Sequence, residues 1–263
     1  MKKLMLLGAS LLSAVVLAGG ARAAGTDACG KPITPTKQIQ RLSDIAEITN
    51  VSSSHEYYHG ALMHQAEIEN AWSKREDITW TNGTDKYANR TSLWKFYVDN
   101  LKNFPHKGAL WYHMLTTPYI EVAADGKTAK GIFMSFGNVS GEMHAGQPMS
   151  QWTEEKYGMD FIKEDGHWKI WHLRTYVEFY VDVNKLWTDS RNNLAAVDTL
   201  ALEGKNPDGS LRAGVQEEAG STFYGVKPDE KKIFYPGYTT SRDPQYNPAI
   251  PKPYCTFSQV EAY

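Results

Sequence analysis

A segment near residue 170 places ionisable and aromatic side chains at a spacing that could bring them into one pocket. Successive side chains of a β-strand point to opposite faces, so every second residue of this alternating run is expected to share a face. That face carries Trp168, Ile170, His172, Arg174 and Tyr176. His172 can exchange a proton near neutral pH. The pattern therefore predicts an acid or base at His172, or else a hydrogen-bonded core histidine.

A second histidine lies on a neighbouring predicted strand. Trp111 and Leu115 are expected on the same face as His113. If His113 and His172 both point inward, they form a facing acid and base, and the strand register decides whether they do.

Four other polar residues could assist these histidines. Arg174 could hold a phenolate or a developing oxyanion with its several donors, or it could lie at a solvated rim. Tyr176 follows on the same face. Tyr58, on a predicted helix, could donate a hydrogen bond to a substrate or simply pack. Asp160 could orient a histidine, although the apolar residues that alternate with it would leave it on the other side of its strand.

Large aromatic and apolar side chains could form the walls of the pocket. Most of them are equally expected in an ordinary core, because bulky aromatics dominate burial in any domain. Trp111 and Trp168 are the better wall candidates, since each shares a predicted face with a histidine. The full set is Trp80, Trp111, Phe133, Met134, Trp168 and Trp171.

A different chemistry is suggested by the run from His55 to His59, which matches H-E-x-x-H. In that motif two histidines one helical turn apart bind zinc and the glutamate acts as a base. A third ligand is also needed. Gly60 and His64 fall at the wrong offsets for the longer zinc motif, and a strand near Ile78 is predicted where a later helical glutamate is required. A zinc metalloprotease is therefore the remote alternative.

The predicted elements run from helices to strands. Apolar spacing indicates helix between about 37 and 74, interrupted by three serines at 52–54, so that a second helix runs from about 54 to 72. Asp125-Gly126 and Asp165-Gly166 are typical of tight hairpin turns. This order predicts an α+β domain with its helices on one face of a curved antiparallel sheet. The other predicted elements are a strand at 78–80, a helix at 91–101, strands near 109–117, 119–124, 128–138, 152–163 and 167–177, and a loop at 141–148.

The ends of the chain indicate secretion. Residues 1–23 combine two lysines, an apolar run and a small-x-small cleavage site, which together predict a signal peptide and a periplasmic or secreted protein. Residues 24–36 form a lead-in and 37–183 the domain. The extension over 184–263 contains one short predicted helix at 194–202. The rest of it is rich in proline and aromatics without periodicity, as expected of an arm lying on a surface.

Cysteine content and charge restrict the remaining possibilities. Cys29 and Cys255 are the only cysteines; a disulfide is the simplest interpretation in an oxidising compartment, and two free thiols are the alternative. A net charge of −2 over 263 residues argues against a nucleic-acid partner. No other run is long and apolar enough to predict membrane association once the signal peptide is removed.

Five segments resemble the SnoaL-like branch of the nuclear-transport-factor-2-like superfamily. They are Glu56–Gly60, Leu115–Val122, Lys156–Phe161, Trp168–His172 and Pro251–Phe257. The resemblance implies a cone whose sheet wraps around a deep pocket, usually without a metal or an organic cofactor. Self-association as a dimer or trimer is also expected, because the exposed convex face of such a sheet usually needs covering. The superfamily includes dehydratases, isomerases, aldol-type cyclases, ligand-binding proteins, and lyases that deformylate lignin-derived diaryl compounds.

The resemblance leads to one functional expectation and one alternative. We expect a cofactor-independent lyase that removes water or formaldehyde from a hydroxylated aromatic small molecule, with His172 and His113 as base and acid. The alternative is a non-catalytic periplasmic binding protein for an aromatic ligand, because one fold can serve many functions.

Overall fold

The computed structural model describes residues 25–82, 85–103, 107–144, 147–189, 226–231, 235 and 237–263, without the side chains at 103, 141–149 and 231. The predicted signal peptide at 1–23 and the predicted helix at 194–202 lie outside these residues.

The first helix is longer than the sequence pattern predicts. α1 spans Pro35–Gly60 and begins after Thr34, whose side chain accepts a hydrogen bond from the backbone N–H of Lys37. The predicted break at the three serines is wrong. The hydroxyls of Ser52 and Ser54 donate to backbone carbonyls of the preceding turn, so they are satisfied inside the helix and do not cap a new one.

The real break lies at residues 61–63, where Leu62 adopts a φ of 56°. α2 then spans His64–Asn70, and α3 spans Arg90–Trp94 and continues as a π-helix over Lys95–Asn100 and a 3₁₀ turn over Leu101–Asn103. The turn after α1 folds α2 back toward it, because a residue in the left-handed region cannot continue a right-handed helix.

The described strands form one sheet in the order β3-β4-β5-β6-β1-β2-β7. β1 pairs with β6 in parallel, and the other pairs are antiparallel. The predicted α+β class is therefore confirmed. The strands are β1 Thr79–Asn82, β2 Asp85–Tyr87, β3 Leu110–Val122, β4 Thr128–His144, β5 Gln147–Glu164, β6 His167–Asp182 and β7 Glu230–Lys231.

Two predicted interruptions of the sheet are wrong. The expected loop at 141–148 is the end of the β4–β5 hairpin, in which Met143 pairs with Pro148. The expected two strands at 109–124 are one strand with a register shift between Thr116 and Tyr119, because Pro118 has no N–H to donate to the ladder. The hairpin turn at Asp165 and Gly166 has positive φ at both residues, as predicted.

The sheet has an inner face, which faces α1, and an outer face, which faces the C-terminal segment. Trp168 on β6 points inward, where its indole N–H donates to Asp44 of α1 at 3.0 Å. Buried apolar side chains fill the space between α1, α2 and the inner face, and this burial is the main stabilising contribution to the fold. They include Ile48, Ile68, Trp72, Met159, Phe161, Trp168 and Leu173.

A bulge in β6 changes which side chains share a face. Asp160 pairs with His172, whereas the next residue of β5, Phe161, pairs with Ile170, so Trp171 is an extra residue on β6. An extra residue reverses the alternation. The prediction that Trp168, Ile170 and His172 share one face is therefore wrong, since the first two point inward and His172 points outward.

Several residues after β7 contact the outer face of the sheet. The backbone N–H of Tyr263 donates to Asp160 Oδ2 at 3.0 Å, and the Tyr235 hydroxyl donates to Glu178 at 2.7 Å. The expected disulfide between Cys29 and Cys255 is present. None of the helices in the described part of the chain is long and apolar enough to cross a membrane.

Candidate active site

A cluster of buried histidines and carboxylates lies between the end of α1, α2 and the inner face of the sheet. His55, Glu56 and His59 come from α1, and the spacing of four residues places both histidines on one side of the helix. The close approach of α1 to β3 depends on Gly60, since a Cβ at that position would lie 2.7 Å from the carbonyl oxygen of Trp111.

Glu67 of α2 is the centre of the helical part of the cluster. Its side chain is fully buried. Oε1 lies 2.8 Å from Nδ1 of His55 and accepts a hydrogen bond from the indole of Trp72 at 3.3 Å. Oε2 lies 3.4 Å from Nδ1 of His59 and 3.2 Å from Nδ1 of His64. One carboxylate thus contacts three imidazoles.

A histidine and a glutamate on the sheet lie beside this helical cluster. His113 of β3 points inward, and its Nδ1 lies 3.4 Å from Oε2 of Glu155 on β5. The other oxygen of Glu155 accepts a hydrogen bond from the hydroxyl of Tyr180. The rings of His113 and His59 are 5.6 Å apart, so the sheet pair and the helical cluster are neighbours.

Glu56 faces the same region without a hydrogen bond. Its side chain is 11% exposed, but both carboxylate oxygens are buried, and neither has a hydrogen-bond partner among the described residues. The nearest charged contact is His55, whose Nε2 lies 3.6 Å away. Native proteins rarely leave a buried carboxylate without a hydrogen bond, so Glu56, neither of whose oxygens has one among the described residues, differs from the other carboxylates of the cluster.

Burial and neighbouring charges shift the pKa values in this cluster. Burial raises the pKa of Glu56 to about 7 and lowers the pKa of His59 to about 4. Burial would also lower the pKa values of His55 and His113, but the carboxylates of Glu67 and Glu155 outweigh this effect and raise them. The two glutamates are correspondingly held below their ordinary pKa.

Aromatic rings surround the polar groups. Trp111 lies with its ring 5.8 Å from that of His59, and Tyr97 lies 5.6 Å from the same ring. Tyr157 points inward from β5, where burial and the nearby Glu56 and Glu155 raise its pKa well above the ordinary value. The site therefore combines proton-transferring groups with apolar ring surfaces.

His172 belongs to a separate cluster on the outer face. Its Nδ1 lies 2.9 Å from Asp160 Oδ2, and Asp160 Oδ1 accepts a hydrogen bond from Lys130 at 2.8 Å. The ring of His172 stacks on Trp171, and Phe257 of the C-terminal segment lies against both rings. This cluster is covered by the end of the chain.

The expected facing pair of His113 and His172 is wrong. The β4–β5 ladder is continuous from Glu155 to Asp160, and residues five apart in such a ladder point to opposite faces. His113 contacts Glu155 and His172 contacts Asp160, so the sheet lies between the two histidines.

The other predicted site residues also lie on two different faces of the sheet. The expected inward positions of Arg174 and Tyr176 are wrong, because the bulge turns both outward. Trp171 is not a wall of the inner site either, since it alternates with the inward-facing Ile170 and packs against Phe257 on the outer face. Met134 is not a pocket wall, since it is 49% exposed on the outer face. Trp80, Trp111 and Phe133 are buried on the inner side, and Tyr58 is half-buried on α1. The catalytic roles assigned to Asp160, His113 and Tyr58 stay predictions.

Sequence reasoning missed Glu67, His64 and Glu155. His64 was set aside because its offset from His59 does not fit a continuous helical motif. It reaches the cluster because the turn at Leu62 folds α2 back onto α1. A glutamate among apolar residues, as Glu67 is between Ala66 and Ile68, was the available signal.

An α+β cone with helices over the inner face of its sheet and a buried polar site between them defines the nuclear-transport-factor-2-like class. The chain belongs to the SnoaL-like domain family, whose model matches residues 40–174. Among curated proteins, none matches this chain in sequence.

Two solved structures from Novosphingobium are similar to this one. A scytalone dehydratase-like protein of N. aromaticivorans DSM 12444 is 13% identical, with a TM-score of 0.48 over 57% of this chain and 93% of its own. The hexachlorocyclohexane dehydrochlorinase LinA-type3 of N. barchaimii LL02 is 17% identical, with a TM-score of 0.45 over 57% of this chain and 96% of its own. The family assignment depends on the domain match and the sheet topology, not on these two superpositions.

Proposed function

We propose that the protein is a lyase in which Glu56 acts as a base and His113 as an acid. The observation that carries the proposal is the carboxylate of Glu56, which is buried without a hydrogen-bond partner among the described residues. A buried polar group without a partner destabilises the folded protein. A substrate hydroxyl or an acidic C–H at this position would give the carboxylate the contact that it lacks.

The protonation states suit this division of roles. A pKa of about 7 leaves Glu56 divided between its ionised and protonated forms at neutral pH, so it can accept a proton and later return it. The contact with Glu155 raises the pKa of His113 and favours its protonated form. Glu56 and His113 are close enough that each shifts the pKa of the other. A base and an acid that act on the same substrate must lie this close together.

Two related reactions fit these groups. In a dehydration, Glu56 takes a proton from carbon, the electron pair of the broken C–H bond forms the double bond, and His113 protonates the departing hydroxyl, which leaves as water. In a loss of formaldehyde, Glu56 takes the proton of a primary alcohol and the C–C bond breaks as formaldehyde forms. The released electron pair then forms the double bond and expels a hydroxyl group, which His113 protonates.

The surrounding rings favour an aromatic substrate. Trp111 and Tyr97 lie against the histidines, and Trp80 packs edge-on against Tyr97 with ring centroids 5.0 Å apart. Aromatic side chains stack on or meet the edge of a ligand ring with a favourable free energy beyond simple burial. We therefore propose a hydroxylated aromatic small molecule, of which a lignin-derived diaryl compound is one example.

The proposed setting is the periplasm or the cell exterior. The disulfide between Cys29 and Cys255 supports an oxidising compartment. Self-association stays a prediction. Tyr112, Met114, Met134 and Phe136 are between 42% and 54% exposed on the outer face of β3 and β4, and a second copy of the chain could cover them. Native mass spectrometry would count the subunits.

Substitutions at the two proposed catalytic residues would distinguish an enzyme from a protein that only binds its ligand. Glu56→Gln and His113→Gln are assayed on hydroxylated diaryl compounds for released formaldehyde and for the absorbance of a conjugated product, and ligand affinity is measured in parallel. We expect a loss of turnover of about 100-fold or more with affinity kept. His172→Asn, a buried histidine on the outer face, is the matched control and should retain turnover. Binding without turnover by the unmodified protein would identify a carrier instead.

A further inference from the structure

We propose that His59, His64 and Glu67 form a binding site for one divalent transition-metal ion, with zinc the best match to the ligand set. The proposal goes beyond the lyase function and does not depend on it. It also departs from the expectation of a cofactor-free protein.

The spacing of the three ligand atoms supports the site. Glu67 Oε2 lies 3.4 Å from Nδ1 of His59 and 3.2 Å from Nδ1 of His64, and the candidate ligand atoms of the three residues all lie within 4.8 Å of one another. A zinc ion about 2.0–2.1 Å from each ligand in a tetrahedral arrangement requires ligand-to-ligand distances of about 3.4 Å. The two measured distances from Oε2 meet this requirement.

The two oxygens of Glu67 differ in a way that suggests ligation. Oε1 lies only 2.8 Å from Nδ1 of His55 and also accepts the indole hydrogen bond of Trp72. Oε2 lies farther from its two imidazoles, 3.4 Å from Nδ1 of His59 and 3.2 Å from Nδ1 of His64, which is the separation that two ligands of one ion would keep. In metal sites, a carboxylate ligand is commonly oriented by neighbouring residues that bind its other oxygen. His55 and Trp72 would do this for Oε1 of Glu67, which leaves Oε2 for the metal ion.

The types of the three ligands restrict which metal ions could bind. Two imidazoles and one carboxylate match the ligands of catalytic zinc sites, and imidazole also suits cobalt, nickel and copper better than magnesium or calcium. The only two cysteines form a disulfide, so no thiol competes for the ion. Three protein ligands leave a coordination position for water or a substrate oxygen.

The assignment differs from the H-E-x-x-H arrangement that the sequence suggests. His59 is a ligand in both, but His55 becomes a positioning residue that holds Glu67, and His64 takes its place as the second histidine ligand. This exchange is possible because the turn at Leu62 brings α2 beside the last turn of α1.

The test measures metal binding by the full chain. The purified protein is stripped with a chelator and titrated with Zn²⁺ by calorimetry, with Mg²⁺ as the comparison. We expect one Zn²⁺ per chain and no comparable binding of Mg²⁺. Glu67→Gln and His64→Asn should each weaken Zn²⁺ binding by about 100-fold or more, and His55→Asn by about 10- to 100-fold. His172→Asn, the outer-face control, should bind as the unmodified chain does.

A second measurement needs no variant that could fail to fold. X-ray absorption by the zinc-loaded unmodified protein should show two imidazole nitrogens and one carboxylate oxygen around the metal. Weak or absent Zn²⁺ binding, full binding by Glu67→Gln, or a spectrum without imidazole would overturn the proposal. His113→Gln should bind Zn²⁺ normally, so failure of the lyase function and failure of the metal site are separate results.

Discussion

Glu155 and Asp160 lie on one strand and point to opposite faces of the sheet, and each contacts a different histidine. Glu155 contacts His113 beneath the helices, whereas Asp160 contacts His172 beneath the C-terminal segment. The protein therefore contains two buried histidine–carboxylate pairs with different surroundings. The inner pair lies beside the Glu56 carboxylate, which has no hydrogen-bond partner among the described residues, and the outer pair contacts Lys130 and the last residues of the chain.

The pKa of His113 should depend on Glu155. We expect Glu155→Gln to lower that pKa, because burial is then opposed only by the weaker attraction of Glu56. Imidazole resonances in an NMR titration would report the change. Glu154→Gln, also on β5 but not among the groups that shift the pKa of His113, is the matched control and should leave the His113 titration unchanged. An unaltered titration in Glu155→Gln would contradict the assigned contact.

Glu56 should make the stability of the metal-free protein depend on pH. The unfolded chain releases this proton near pH 4.5 and the folded protein only near pH 7. Between these values the unfolded state binds fewer protons, so the free energy of unfolding falls as the pH rises and levels off above pH 7. The expected total contribution is about 3 kcal/mol.

Denaturation by urea at pH 5 and pH 8, with a chelator present, measures this contribution. Between pH 5 and pH 8, the free energy of unfolding of Glu56→Gln should decrease less than that of the unmodified protein, by about 2–3 kcal/mol. The groups that face Glu56 and share its titration are His55, Glu67, His113 and Glu155. Equal decreases in the two proteins would show that Glu56 ionises at its ordinary pKa.

The outer-face pair of Lys130 and Asp160 should be important for stability. Lys130 is 8% exposed and Asp160 is fully buried, so Asp160→Asn leaves a buried ammonium group without its counter-charge. The expected loss is about 3–5 kcal/mol of unfolding free energy. Asp99→Asn, which breaks an exposed pair with Lys102, is the control and should cost at most about 1 kcal/mol. Similar small losses in both variants would refute this ranking.

The disulfide should stabilise the fold by linking the two ends of the domain. Cys29 and Cys255 are 226 residues apart, so the bond restricts a very long loop in the unfolded chain. Replacing both cysteines by serine should lower the free energy of unfolding by up to about 5 kcal/mol in the ideal chain-entropy limit. Unmodified protein unfolded with a reductant should match the variant. Equal stability of the variant and the oxidised protein would exclude this role.

The sequence predicted several elements correctly because their signals are local. The Asp165-Gly166 turn, the order of helices before strands and the short strand at β1 all follow from residues that are close along the chain. The three serines of α1 show where a local signal fails. Serine hydroxyls favour the start of a helix, but they can also donate hydrogen bonds to backbone carbonyls inside a helix. Only the packing of α1 against the sheet decides which of the two occurs.

By itself, the sequence determined the α+β class, the SnoaL-like family and the types of side chain that could transfer protons. Only the tertiary structure decided which of them meet. One extra residue at Trp171 turns His172 to the outer face, because strand alternation continues only while the ladder is unbroken. The turn at Leu62 brings His64 and Glu67 to His59, and contacts of this kind depend on how two helices pack and not on spacing within one helix.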